Sequence, residues 1–117
     1  MDLSIPIRLK PGVKLDCLST QILLAILVAS QAYQALGARS LTVTSVCDGE
    51  HSEASLHWIG HACDLRTKNL EASDEEKAQL ARTIAERLGN DFDVLFEGAG
   101  TPQEHIHIEY QPKRRSN

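Results

Sequence analysis

Two short stretches of the chain, SLHWIGHACD and EHIH, carry the residue types that could do chemistry. The first contains His57 and Asp64, and the second contains Glu104 and His107. Two imidazoles and a carboxylate leave the fourth tetrahedral position of a zinc ion open, which distinguishes a catalytic site from a structural one. A further carboxylate nearby can take a proton from water in that position. The sequence therefore predicts one zinc ion held by His57, Asp64 and His107, with Glu104 as the general base.

The direction of the Glu104 side chain is the open question in this prediction. Side chains alternate along a strand, so on an ideal strand Glu104 faces away from His107. It can reach the metal only if the strand begins after it, and Pro102 shortly before it makes such a bend reasonable. Glu109 shares a face with His107 and is the substitute base.

Two strands must position these residues. Residues 62–66 form a plausible short strand, and residues 105–110 alternate apolar and polar side chains. Period-two alternation places the polar residues of each strand on one face: Asp64 and Arg66 on the first, and His105, His107 and Glu109 on the second. The site can form only if the two strands are neighbours in the sheet.

The remaining segments supply a core around these strands. An apolar helix is predicted over residues 18–36, and a capping box of Ser73 and Glu76 starts a second, amphipathic helix. Residues 1–15 read as an extended lead-in or edge strand, and 41–47 and 92–97 as further strands. The predicted fold is α+β, with a small, mainly antiparallel sheet and flanking helices.

Length and composition indicate one domain over residues 1–117, with the motifs in 41–110 and a flexible tail over 111–117. The net charge of −4 argues against nucleic acid as a partner. The most apolar run, residues 22–29, is eight residues long, whereas a membrane span needs about 20. The N-terminus lacks signal-peptide order, so a cytoplasmic location in the producing cell is expected.

The cysteines are Cys17, Cys47 and Cys63, an odd number without C-x-x-C spacing. This pattern predicts a reducing compartment and no disulfide framework. A pair between Cys47 and Cys63 is left open, since it would form if their strands were neighbours.

The pattern S-x-H-x-x-G-x-A-x-D from Ser55 to Asp64, followed by E-x-x-H from Glu104 to His107, closely resembles the signature of the zinc D-alanyl-D-alanine metallopeptidases. That family includes vancomycin-resistance dipeptidases, D,D-carboxypeptidases and the L-alanyl-D-glutamate endopeptidases of phage endolysins, and Hedgehog signalling domains share its fold. The resemblance covers about residues 41–110 and looks like a compact, often prophage-borne branch.

The resemblance implies a zinc peptidase that cleaves peptidoglycan stem peptides, with His57, Asp64 and His107 as ligands and Glu104 as the base. Ser55 would orient a ligand or contact the substrate. An arginine that polarises the scissile carbonyl in larger members is not found near Asp48, where it would be expected. The substrate-binding or oxyanion candidates are therefore Ser55, Arg66, His105 and His51, with Arg39 as a further cation.

Two alternative functions are compatible with the sequence. The chain could be a non-catalytic zinc-binding recognition domain on the same fold, because fold alone does not fix function. It could also be a plain α+β interaction protein in which the histidines have ordinary roles. A monomer is favoured. Phage or prophage origin, with release to the cell wall by lysis, is the simplest account of a cell-wall enzyme that has no signal peptide.

Overall fold

A five-stranded sheet in the order β1-β2-β3-β5-β4 forms the centre of the fold. The structure is a computed structural model, and it describes residues 4–46 and 61–112. The elements in chain order are β1 (Ile7–Leu9), α1 (Thr20–Ala35), β2 (Leu41–Ser45), β3 (Ala62–Arg66), α2 (Asp74–Leu88), β4 (Phe92–Glu97) and β5 (His105–Tyr110). The prediction of an α+β fold is confirmed.

The sheet is mixed, whereas the sequence predicted a mainly antiparallel one. The pairs of β2 with β3, β3 with β5 and β4 with β5 are antiparallel, but β1 pairs with β2 in parallel. Parallel neighbours need a long crossover between them, and here α1 provides it. The extended lead-in thus becomes an edge strand, as its prolines suggested.

The first helix lies within the predicted range of residues 18–36, and the second begins at the predicted capping box. The Ser19 hydroxyl caps α1 by accepting from the Ile22 N–H at 3.2 Å. The predicted capping box of α2 is present, since Glu76 N–H donates to Ser73 Oγ at 3.1 Å and Ser73 N–H donates to the Glu76 carboxylate at 2.9 Å. Gly89 follows α2 at φ 89°, a left-handed value that a residue with a Cβ rarely adopts.

Both helices pack against one side of the sheet, which we call the helix face. Its buried strand residues are Leu41, Val43, Cys63, Leu65, Ile106 and Ile108. Because side chains alternate along strands, the residues between them point to the other side, which we call the site face. On β3 and β5 the site face carries Asp64, Arg66, His105, His107 and Glu109.

The cysteines differ from expectation. Cys63 is a free thiol that is fully buried on the helix face, and burial raises its pKa. It therefore forms no pair with Cys47, and as a neutral thiol it is a poor metal ligand. Cys17 is disulfide-bonded, a bond that the sequence analysis did not predict.

In the part of the chain that the structure describes, residues 4–46 and 61–112, neither helix could span a membrane.

Candidate metal centre

The two strands that the candidate site requires are direct neighbours at the middle of the sheet. β3 and β5 pair antiparallel, with Asp64 opposite His107 and Arg66 opposite His105. A register irregularity in β2, between Val43 and Ser45, lies beside Asp64. Such bulges bend a strand locally and are frequent next to functional sites. The pairing brings side chains from both sequence motifs onto one face.

Two of these side chains, His105 and His107, converge on one carboxylate oxygen of Asp64. Asp64 Oδ1 lies 2.8 Å from His107 Nδ1 and 3.7 Å from His105 Nε2. The ligand atoms of the three residues all lie within 4.8 Å of one another, and each side chain is partly buried. Two imidazole nitrogens and a carboxylate oxygen form a donor set that suits zinc. Asp64, His105 and His107 could therefore hold a metal ion, and we call these three residues the metal group.

Each histidine ring is oriented by an acceptor at its other nitrogen. The Gln103 carbonyl accepts from His105 Nδ1 at 2.5 Å, and Glu109 Oε1 accepts from His107 Nε2 at 2.8 Å. In the neutral rings with those protons in place, His105 Nε2 and His107 Nδ1 would offer their lone pairs to a metal ion beside Asp64; in the protonated ring, His107 Nδ1 donates to Asp64 instead. Metal-binding histidines almost always have such a partner, since it fixes both the tautomer and the ring.

Acidic groups surround the histidines on this face. Glu97, at the end of β4, is opposite His105, and its Oε1 lies 3.3 Å from His105 Nε2. Asp64 and Glu109 contact the two nitrogens of His107. The hydrogen bond to the Asp64 carboxylate has the largest effect on His107, and with the bond to Glu109 it outweighs burial and raises the His107 pKa from 6.5 to about 9. Without a metal, His107 is therefore a cation at neutral pH.

This pKa gives a prediction for the metal-free protein. The folded-state value lies above the ordinary 6.5, so the stability that the protonated ring contributes is complete below pH 6.5 and is lost as the pH rises through about 9. NMR titration should show His107 changing charge near pH 9, and Asp64→Asn should lower that midpoint towards the ordinary value. Glu71→Gln, an exposed carboxylate elsewhere, is the control. A midpoint near 6.5 in the unaltered chain would contradict the geometry.

Several predicted residues lie outside the described part of the chain. They are the predicted ligand His57 and the substrate or oxyanion candidates Ser55 and His51. Their places in the site therefore stay predictions. Of the predicted ligand set, the structure brings together Asp64 and His107, and it adds His105, which the sequence had assigned to the substrate.

Glu104 is not brought to this group. It lies one residue before β5, on the same parity as Ile106 and Ile108, and its carboxylate enters the helix face. There it accepts from Lys77 Nζ at 2.8 Å and from the Thr67 hydroxyl at 2.6 Å. The bend that would carry Glu104 to the side of His107 does not occur.

The electrostatics of Glu104 also differ from those of a general base. Burial alone would raise its pKa, but hydrogen bonds from Lys77, Thr67 and the Gly100 N–H outweigh it and lower the pKa from 4.5 to about 2. A base works best with a pKa near the working pH. A carboxylate held this far below neutrality is a weak proton acceptor.

The two arginine candidates occupy different places. Arg66 pairs with His105 in the sheet and so belongs to the site face, while its backbone carbonyl accepts from the Tyr33 hydroxyl at 2.9 Å. Arg39 lines a separate surface cleft of about 520 Å³ between residues 36–40 and 69–72. Of the two, only Arg66 therefore lies on the same face as Asp64, His105 and His107.

Sequence reasoning missed Glu97 on the site face and Lys77 on the helix face. Glu97 ends a strand whose apolar residues alternate inward, so the same period-two rule would have put it on the outward face, while its place beside His105 depends on the register of β4 against β5. Lys77 had no such signal, because a lysine in an amphipathic helix is ordinarily solvent-exposed.

The sequence matches no model of a known protein family and no curated protein.

Proposed function

We propose that the chain is a zinc-dependent peptidase that hydrolyses peptidoglycan stem peptides, as a D,D-carboxypeptidase or an L-alanyl-D-glutamate endopeptidase. The observation that carries the proposal is that His107 Nδ1 lies 2.8 Å from Asp64 Oδ1 with its ring held by Glu109 at the other nitrogen, while His105 Nε2 lies beside the same oxygen. The substrate class rests on the resemblance of the two motifs.

Asp64 and His107 are the proposed ligands from the described residues, with His57 completing the set as the motif implies. A bound zinc ion would lower the pKa of water and polarise the scissile carbonyl. The number of protein ligands then decides the chemistry, because three leave a position for substrate and four close the site. In a peptidase His105 must therefore stay off the metal and be available to the substrate.

The proposed roles of the other residues follow from the site face. His105 is the proposed contact of the substrate through Nε2, and Arg66 is the cation that contacts the oxygen of the scissile bond. Glu97 is the proposed acid–base group, because its carboxylate lies 3.3 Å from His105 Nε2 and its side chain is 49% exposed to substrate and water. Glu109, the substitute base from the sequence, instead orients His107.

A non-catalytic zinc-binding recognition domain is the second candidate. The engagement of Glu104 by Lys77 and Thr67 favours it, since the carboxylate that the resemblance makes the base is used elsewhere. Zinc coordinated by four side chains, including both His57 and His105, would be the corresponding closed site.

The test combines metal content with digestion. Purified protein loaded with zinc is incubated with defined muropeptides, and mass spectrometry locates any cut, with and without a chelator. We expect one stem-peptide bond to be cleaved only with the metal. Glu97→Gln should lower kcat by about 100-fold or more, the range typical of a lost general acid or base. Glu86→Gln, on the exposed side of α2, is the matched control.

Cobalt substitution separates the two candidates. The absorption bands of a bound Co²⁺ ion report how many ligands it has and whether they change on adding peptide. Stoichiometric metal with four protein ligands and no cleavage of any muropeptide would support the recognition domain and exclude the peptidase. Absence of metal binding would exclude both.

A further inference from the structure

Glu104 is held in a small polar network inside the core. Its Oε2 accepts from Lys77 Nζ at 2.8 Å and from Thr67 Oγ1 at 2.6 Å, and its Oε1 accepts from the Gly100 N–H at 3.0 Å. Lys77 and Glu104 are each only 6% exposed, and Thr67 is fully buried. The network joins α2, the end of β3 and the turn that precedes β5.

The turn of residues 98–104 is itself held by internal hydrogen bonds. Thr101 donates to the Gly98 carbonyl from both its N–H (2.9 Å) and its hydroxyl (2.7 Å), and the Glu104 N–H donates to the Thr101 carbonyl at 3.1 Å. Gly98 has a φ of 69°, and a Cβ there would lie 3.0 Å from the Gln103 carbonyl oxygen. The position of Gln103 is therefore set by the turn around it.

The turn connects the network to the metal group. The Gln103 carbonyl is the acceptor that orients His105, and His105 begins β5, which also carries His107. A displaced turn would move that carbonyl and the first residues of the strand together. The carboxylate of Glu104 fixes the turn from the opposite side of the sheet.

We infer that Glu104 is a positioning residue, which with Lys77 and Thr67 forms a buried anchor for the turn before β5 and so sets the histidines of the metal group. This inference rests on the proposed metal site. A buried ion pair is an inefficient way to stabilise a fold, because desolvation offsets much of the attraction. It does impose a defined geometry, and a metal site needs its ligands held within about 0.5 Å.

The anchor and base roles of Glu104 predict different results for one variant. Glu104→Gln keeps the size of the side chain but removes its charge. If Glu104 positions the histidines, the dissociation constant for zinc should rise about 10- to 100-fold, the usual cost of losing a group that orients ligands. If Glu104 is a base, zinc affinity should stay within twofold of the unaltered chain while hydrolysis is lost.

Thr67→Val provides a second, milder variant in case Glu104→Gln does not fold. It removes the hydroxyl that donates to Glu104 and leaves the charge pair in place. We expect a severalfold weaker zinc affinity and altered absorption bands for bound Co²⁺, which report ligand geometry. Thr83→Val, the same change on the partly exposed side of α2, is the matched control and should alter neither readout.

Amide hydrogen exchange tests the anchor without any metal. In chelator, Glu104→Gln and Thr67→Val should speed exchange at residues 98–107 and leave β1 and β2 unchanged. Unchanged exchange at residues 98–107, or a zinc affinity unchanged in both variants, would overturn the inference. If the unaltered chain binds no zinc, the proposed function fails, and the exchange result decides the anchor by itself.

Discussion

Replacing His107 with alanine is expected to raise the dissociation constant for zinc by at least about 100-fold, because even groups that only orient a ligand are worth 10- to 100-fold. His107 contacts Asp64 through Nδ1 and Glu109 through Nε2. Its loss removes one metal ligand and leaves two neighbouring carboxylates without the imidazole between them. Isothermal titration with Zn²⁺ against a competing chelator measures the change.

His61→Ala is the matched control for this variant. His61 packs edge-on against Tyr110 with ring centroids 5.6 Å apart and does not belong to the group that converges on Asp64. Zinc should raise the melting temperature of the unaltered chain and of the control, since a ligand that binds only the folded state stabilises it by mass action. If His107→Ala kept the zinc-dependent rise, the ion would bind elsewhere.

Replacing Lys77 with methionine is expected to lower the free energy of unfolding at pH 7 by about 3–5 kcal/mol, the range for removing one partner of a buried ion pair. Methionine preserves most of the side-chain volume, so the effect comes from leaving the Glu104 carboxylate buried without its cation. Urea unfolding followed by circular dichroism measures the difference. Adding Glu104→Gln to the variant should restore part of the loss.

The same variant should change the response to acid. The folded-state pKa of Glu104 lies below its ordinary value, so its stabilising contribution is present above pH 4.5 and is lost as the pH falls towards 2. Without Lys77 that pKa is no longer held as low, and the unfolding free energy should vary less across this window. Lys68→Met, at an exposed position, should stay within about 0.5 kcal/mol of the unaltered chain throughout. Equal losses in the two variants would contradict the buried pair.

The alternation of side chains accounts for what the sequence could predict about the site. Residues 105–110 alternate strictly, and the structure places Ile106 and Ile108 in the core and His105 and His107 on the other face. The same rule required Glu104 to face the core unless the chain bent. Glu104 does face the core, so alternation alone predicted its direction correctly. The bend that the resemblance required does not occur.

Long-range pairing accounts for what the sequence could not predict. Nothing in the local pattern of β1 specifies a parallel partner, because that choice depends on where α1 returns the chain. The partnership of Lys77 with Glu104 joins residues 27 positions apart and depends on how α2 packs over the sheet. Likewise, His105 belongs to the metal group because of the register in which β3 pairs with β5. The local sequence of neither strand specifies that register.

The sheet order has a consequence for how the protein is made. Asp64 and His107 are 43 positions apart, with α2 and β4 between them, yet they face each other across the central pair of strands. Contacts this distant along the chain form slowly, because loop-closure entropy must be overcome first. A nascent chain on the ribosome has no complete metal group until β5 has emerged and paired with β3. Any metal ion that these side chains hold would therefore bind late, after the central strands have paired.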